Sequence, residues 1–182
     1  MRYEIKRDNN FQFIEEGNGQ TLILLHGLFG ALSNWTDVVE RFSKNYRVVI
    51  PLMPIYSLPI LNTNVKALAE FVNDFIAYKN YKDFILIGNS LGGHVTLVFT
   101  KKYPGNVKAM VLTGSSGLYE NAMGGTFPKR ENYDFIKSKV EYTFYDPATA
   151  TKELVDEVFG IVNDKTKLIR ILSLAKSAIA GS

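Results

Sequence analysis

The sequence predicts an α/β fold: a mostly parallel sheet, opened by an antiparallel hairpin and followed by a run of helices. Three observations carry this. Four apolar runs, Thr21–Leu25, Tyr46–Ile50, Phe84–Ile87 and Val107–Leu112, alternate with stretches of helical periodicity. The runs are continuous, as expected of strands buried on both faces. Strand–helix alternation of this kind builds βαβ units with helices on both sides of a parallel sheet.

Taken in order, Tyr3–Arg7 and Phe11–Glu15 flank the turn-forming cluster Asp8-Asn9-Asn10 and read as a hairpin. Gly17-Asn18-Gly19 breaks the chain before the first core strand, Thr21–Leu25. After the loop His26–Ser33, Trp35, Val38, Val39 and Phe42 recur at i, i+3, i+4 and i+7, a helical face that Asn34 is placed to cap. Tyr46–Ile50 is the next strand, and Pro51, Pro54 and Pro59 mark the irregular loop behind it. Val65, Leu68, Ala69, Val72 and Ile76 share one face of a helix that leads to the strand Phe84–Ile87. Leu91–Lys102 is helical up to Pro104-Gly105, and Val107–Leu112 is the sixth strand. Beyond Gly114 a loop over Ser115–Arg130 precedes helices only. One is striped by Leu154, Val155, Val158, Phe159 and Val162; another by Leu168, Ile171, Leu172 and Ala175, with Asp164 as its cap.

Bulk properties narrow the function classes. The chain has 182 residues, 46% of them hydrophobic, which suits one domain with an insertion. A net charge of +3, with no basic block longer than two residues, argues against a nucleic-acid surface. No segment approaches the roughly 20 apolar residues of a membrane span, and the charged start Met1–Lys6 is unlike a signal peptide. The absence of cysteine excludes disulfides, thiolate metal sites and a cysteine nucleophile, and fits a cytoplasmic protein. No metal site is expected.

Gly88-Asn89-Ser90-Leu91-Gly92 matches G-x-S-x-G between a predicted strand and a predicted helix. A serine on so sharp a turn projects its hydroxyl above the sheet, and glycines two residues either side leave room where a Cβ would clash. The following helix presents its positive end, which favours developing negative charge. Ser90 is therefore the candidate nucleophile. His26-Gly27-Leu28-Phe29-Gly30 lies at the carboxyl end of a core strand, where open α/β sheets bind ligands. Acyl transfer needs two donors for a tetrahedral oxyanion. The backbone amides of Leu28 and of Leu91, the residue after the nucleophile, are the candidates. Gly27, Phe29, Trp35 and Asn89 are expected at the substrate pocket.

These residues resemble the α/β-hydrolase family. His26-Gly27-Leu28-Phe29-Gly30…Asn34-Trp35 is similar to its oxyanion-loop motif, and Gly88-Asn89-Ser90-Leu91-Gly92-Gly93-His94 to its nucleophile elbow. With the helical stretch Tyr142–Ala178, they look similar to meta-cleavage-product hydrolases and small carboxylesterases. The resemblance implies a hydrolase core over 1–114 and a helical cap over 115–182, inserted after the sixth strand. It also implies a cofactor-free hydrolase of esters or related acyl compounds. One stretch departs from the pattern: Pro51-Leu52-Met53-Pro54-Ile55-Tyr56-Ser57 stands where many members carry an acidic residue and a Gly-x-Gly-like turn.

A serine needs a base, ordinarily a histidine oriented by a carboxylate. Only His26 and His94 are present. His26 opens the oxyanion loop, where its expected role is structural, and His94 lies about one turn into the elbow helix. The fold's order is nucleophile, acid, histidine. Asp134, Asp146, Asp156 and Asp164 fall in the cap, leaving Glu120 as the one weak acid candidate. The expectation is a chain that stops before its last strands, its acid and its histidine. It would then be nearly inactive alone, with Val107–Leu112 an exposed edge open to a second copy or a complementing strand.

Three functions compete on this reading. The first is a serine hydrolase of small carboxylic esters. The second is a C–C hydrolase of vinylogous diketo acids, for which Arg170 and Lys176 would hold the substrate carboxylate. The third is a hydrolase-like scaffold that binds a small molecule without turnover.

Overall fold

The computed structural model describes residues 3–29, 32–118 and 129–180. Gly30 and Glu120 lie outside the described residues. Six strands form one sheet: β1 (Lys6–Asp8), β2 (Phe11–Glu16), β3 (Gln20–Leu25), β4 (Tyr46–Pro51), β5 (Phe84–Asn89) and β6 (Val107–Thr113), in the order β1-β2-β4-β3-β5-β6. The hairpin β1–β2 and the pair β2–β4 are antiparallel, and the remaining pairs are parallel. The first strand is shorter than the sequence suggests. Pro51 closes β4 rather than opening the loop; it sits opposite Phe13, and a strand end tolerates its missing N–H.

Among the described residues, six α-helices connect and follow the strands: α1 (Thr36–Phe42), α2 (Val65–Lys79), α3 (Leu91–Lys102), α4 (Tyr133–Tyr142), α5 (Lys152–Asn163) and α6 (Lys165–Ala180). The predicted Asn34 cap is not formed. A 3-10 turn over Leu32–Trp35 precedes α1, so Trp35 takes the N-cap position with no side-chain bond, and Phe42 is left exposed. Four other helices carry polar caps. Asn64 accepts from the Ala67 amide, Asn132 from Phe135 and Thr151 from Leu154. Asp164 accepts from the amides of Thr166 and Lys167 at the start of α6, as the sequence predicts.

Strand alternation sorts the apolar residues onto two faces. Ile23 and Leu25 of β3 join Val72, Phe75, Leu86, Val95 and Phe99 in the larger cluster, under α2 and α3. Leu22 and Leu24 join Ile14, Val39, Val48 and Ile50 in the smaller one, under α1. Each such side chain contributes about 1.5–3 kcal/mol on burial. A third cluster of Ile136, Val140, Val155, Val158 and Val162 holds α4 against α5. The apolar stripe of α6 is Ile171 and Leu174, and Leu172, expected on it, is exposed. Leu174 enters the larger core cluster.

Two features of the sheet matter for the site. Leu25 pairs with Gly88, so the loop after β3 emerges beside the turn after β5. At the other side, β6 is the outermost strand, and Met110 and Val111 on it are about half exposed.

Candidate active site

Ser90 joins β5 to α3 with φ 53° and ψ −120°. Among the described residues, three other non-glycine residues have positive φ: Asn9, Asn80 and Asp83. Those types tolerate the left-handed region, and Asn80, with ψ 39°, lies within it. Ser90 does not, because its ψ takes it outside every well a serine ordinarily occupies. Such a residue costs of order 1–3 kcal/mol and persists only where its surroundings dictate it. Here they do. A Cβ on Gly88 would strike the Gly92 carbonyl and the Thr96 hydroxyl, and one on Gly92 would strike the Leu25 carbonyl. Both glycines of the motif are required by close backbone approach.

The loop after β3 lies against this turn. A Cβ on Gly27 would stand 3.3 Å from the Ser90 Cβ and 3.5 Å from Asn89 Oδ1. The buried His26 ring fixes this loop. Its Nε2 lies 3.0 Å from the Met53 amide, which can only donate, so Nε2 is the acceptor. In a neutral ring the proton is then on Nδ1, which donates to Gly27 O at 3.0 Å. Burial lowers the His26 pKa, opposed by the Gly27 bond, and so favours this neutral form. The Gly27 carbonyl shares a trans peptide with the Leu28 N–H, and the two point in opposite directions. The ring therefore aims the Leu28 amide away from itself. The amide of Leu91 is the first of α3 and has no acceptor within the helix.

The flank facing β6 is braced as well. Ser90 N donates to Thr113 O at 3.1 Å, and Asn89 Nδ2 donates to Thr113 O and Oγ1, both at 3.1 Å. Ser116 N donates to Ser90 O at 3.2 Å. His94 is buried within α3, its ring so close to Gly117 that a Cβ there would lie 2.6 Å from it. His26 is held by Met53 and Gly27, and the His94 ring is packed against Gly117.

A cavity of about 190 Å³ opens between the strand-end loops and α5, lined by His26, Leu28, Phe29, Leu32, Met53, Tyr56, Glu157 and others. Leu28 and Phe29 line it; Gly27, Asn89, Ser90 and Leu91 are not among its lining residues. Trp35 instead packs into the smaller core cluster beneath α1, and Asn89 braces β6. Tyr56 and Glu157 were not foreseen as lining residues. They come from the atypical loop after β4 and from α5, and no local pattern marks either. A larger cleft of about 540 Å³ lies among α4, α5 and the turn at Pro147. None of its lining residues belongs to the strand-end loops.

This fold, with a serine on a glycine-flanked strand–helix turn, defines a class, and the comparisons agree. The chain belongs to the alpha/beta hydrolase fold family, whose model matches residues 20–155. It is 38% identical, with a TM-score of 0.77, to MGS-MChE2, an alpha/beta hydrolase enzyme from the metagenome of sediments of the Mar Chica lagoon, covering 98% of this chain and 67% of that one. It is 32% identical over 133 residues to the 2-hydroxy-6-oxo-6-(2'-aminophenyl)hexa-2,4-dienoic acid hydrolase of Metapseudomonas resinovorans, covering 69% of this chain and 46% of that protein. Monoacylglycerol lipase ABHD6 of Mus musculus is likewise 32% identical, over 65% of this chain and 38% of its own length. The chain thus spans less than half the length of these curated relatives. Among the described residues, no helix is long and apolar enough to cross a membrane.

Proposed function

We propose that Ser90 is the nucleophile of a serine hydrolase acting on small, uncharged carboxylic esters, with the Leu28 and Leu91 amides as oxyanion donors. The observation that carries this is the backbone of Ser90. A serine is held at φ 53°, ψ −120° by glycines on both sides, beside a loop whose amide is aimed by a buried imidazole. In the proposed reaction Ser90 Oγ bonds to the ester carbonyl carbon, its proton passing to a base. The carbonyl oxygen takes up the negative charge; the tetrahedral intermediate then re-forms the C=O bond and breaks the C–O bond to the leaving group, which takes the proton back from the base and departs as the alcohol. Water then releases the acid by the same steps. On this reading the base is neither His26, which is engaged by Met53 and Gly27, nor His94, which is packed against Gly117. The segment α4–α6 acts as the cap over the cavity.

The cavity lies beside the Leu28 loop rather than on Ser90 itself, and as the acyl-binding space its size and charge would favour a small neutral ester. Its 190 Å³ is below the 300–1,000 Å³ usual for drug-sized ligands. Glu157 lines it and would repel an anionic substrate. Arg170, the candidate for holding a dienoate carboxylate, is engaged by backbone carbonyls instead: Nε donates to Leu58 O and Nη1 to Thr166 O.

Turnover of p-nitrophenyl acetate by the 182-residue chain tests this. Without a positioned base the expected rate is small, of the order of the 10³-fold over water that oxyanion donors leave in a known protease, and Ser90→Ala removes it. Equal rates for both proteins, or faster turnover of a dienoate than of the ester, would overturn the proposal.

A further inference from the structure

The loop after β4 is the stretch that departs from the family's pattern, yet it reaches the proposed oxyanion loop at two points. Met53 N donates to His26 Nε2, and three residues later Tyr56 OH donates to Leu28 O at 2.6 Å. The turn that presents Tyr56 is closed by its own backbone, with Ser57 N and Leu58 N both bonding Pro54 O. Leu28 is therefore gripped on both sides. His26 holds the peptide before it through Gly27 O, and Tyr56 holds the peptide after it through Leu28 O. Free rotation of the Leu28 N–H requires one of these peptides to turn, and both carbonyls are occupied.

We infer that Tyr56 is a positioning residue for the Leu28 amide, an inference that rests on the hydrolase reading above. Its phenol bonds the Leu28 carbonyl, and through that carbonyl it acts on the amide. Burial, with the Glu157 charge adding to it, raises the phenol's pKa, so the hydroxyl stays a donor across the neutral range. The tether also links the loop to the helices above it. Lys167 Nζ lies 5.6 Å from the Tyr56 ring centroid. The same loop is held by α6, through Arg170 to Leu58 O, Ser173 Oγ to Thr63 O, and Ser177 Oγ accepting from Val65 N. Residues 170, 173 and 177 fall on one helical face. The irregular loop after β4 thus carries a rigid support from α6 to Leu28.

The test is Tyr56→Phe in the full chain, which removes one oxygen and keeps the ring. Phosphonylation of Ser90 by a fluorophosphonate ester bonds Oγ to phosphorus and expels fluoride, and it develops charge on the phosphoryl oxygen as acyl transfer does on the carbonyl. Removing an oxyanion donor outright costs about 10²–10³-fold. Loosening one costs less, and a fall of about tenfold in the saturating labelling rate is expected, with the half-saturating concentration within twofold. The second readout is the Leu28 amide resonance in a ¹⁵N-labelled chain, which should shift and exchange faster while that of Leu91 stays in place. An unchanged Leu28 resonance and labelling rate would overturn the inference. A changed Leu28 resonance with no labelling of either protein would uphold the tether and overturn the hydrolase reading.

Discussion

Ser90 has two flanks, and they are built differently. Toward β3 it meets buried structure: Leu25 and His26 are almost fully enclosed, Gly92 lies against the Leu25 carbonyl, and the His26 ring is bonded on both nitrogens. Toward β6 it meets the outermost strand, where Thr113 is exposed and supplies the acceptors for Ser90 and Asn89. Both flanks make hydrogen bonds of similar length. They differ in what replaces a bond when it is lost. On the β3 side a broken bond leaves a buried polar group or a backbone clash, at a cost of about 1–3 kcal/mol per group or more. On the β6 side water takes the place of the missing partner. The β3 flank therefore sets the geometry of the turn, and the β6 flank steadies it.

The largest effect expected from this contrast is at Gly92. Gly92→Ala drives a methyl into the Leu25 backbone, which cannot retreat without shifting β3, and should cost about 3–5 kcal/mol in urea unfolding. A loss below 1 kcal/mol would show that β3 yields and that the flank is not rigid.

Next comes His26, which sharpens the contrast through pH. Its folded pKa lies below the ordinary 6.5, so below that pH the unfolded chain binds the extra proton and the folded chain does not. Stability then falls as pH drops from 6.5 toward the lowered folded value, by up to about 1.4 kcal/mol per pH unit from this group. His26→Gln should lower stability at pH 7 by about 1–3 kcal/mol and flatten that part of the pH dependence. Identical slopes for both proteins in urea titrations between pH 5 and 7 would remove His26 as the cause.

Smaller changes are expected toward β6. Thr113→Val takes away one of the two acceptors that Asn89 uses and leaves the carbonyl in place, costing about 0.5–1 kcal/mol. Further along the same strand, Val111→Lys on an already exposed side chain should stay within about 0.5 kcal/mol of the parent. A cost above 2 kcal/mol at either position would mean that the β6 flank is as enclosed as the other.

What the sequence shows of this site follows the same division between local and distant causes. The bounds of α3 and the stripe of α2 are legible because a glycine-flanked turn and a 3.6-residue period are local signals. The elbow is legible for the same reason. A 3-10 turn rotates the start of α1, so Trp35 packs into the smaller core cluster and Asn34 forms no cap, and periodicity alone does not report that rotation. Leu172 was assigned to the buried stripe of α6, but the packing of Leu174 into the larger cluster turns the helix so that Leu172 faces outward. Tyr56 was invisible as a support for Leu28 because the bond spans 28 residues. Its loop announced only that it lacked the usual pattern. Glu157 reaches the cavity from α5, about a hundred residues beyond the other lining segments, and no spacing foretells that.

The central claim is that the turn at Ser90 activates that serine toward electrophiles. Treating the 182-residue chain with a fluorophosphonate ester, then weighing the intact protein and mapping the modified peptide, tests it most directly. The account predicts a single adduct, slow to form, on Ser90, and none on Ser90→Ala under the same conditions. An unmodified parent chain, or an adduct that persists in Ser90→Ala, would contradict it.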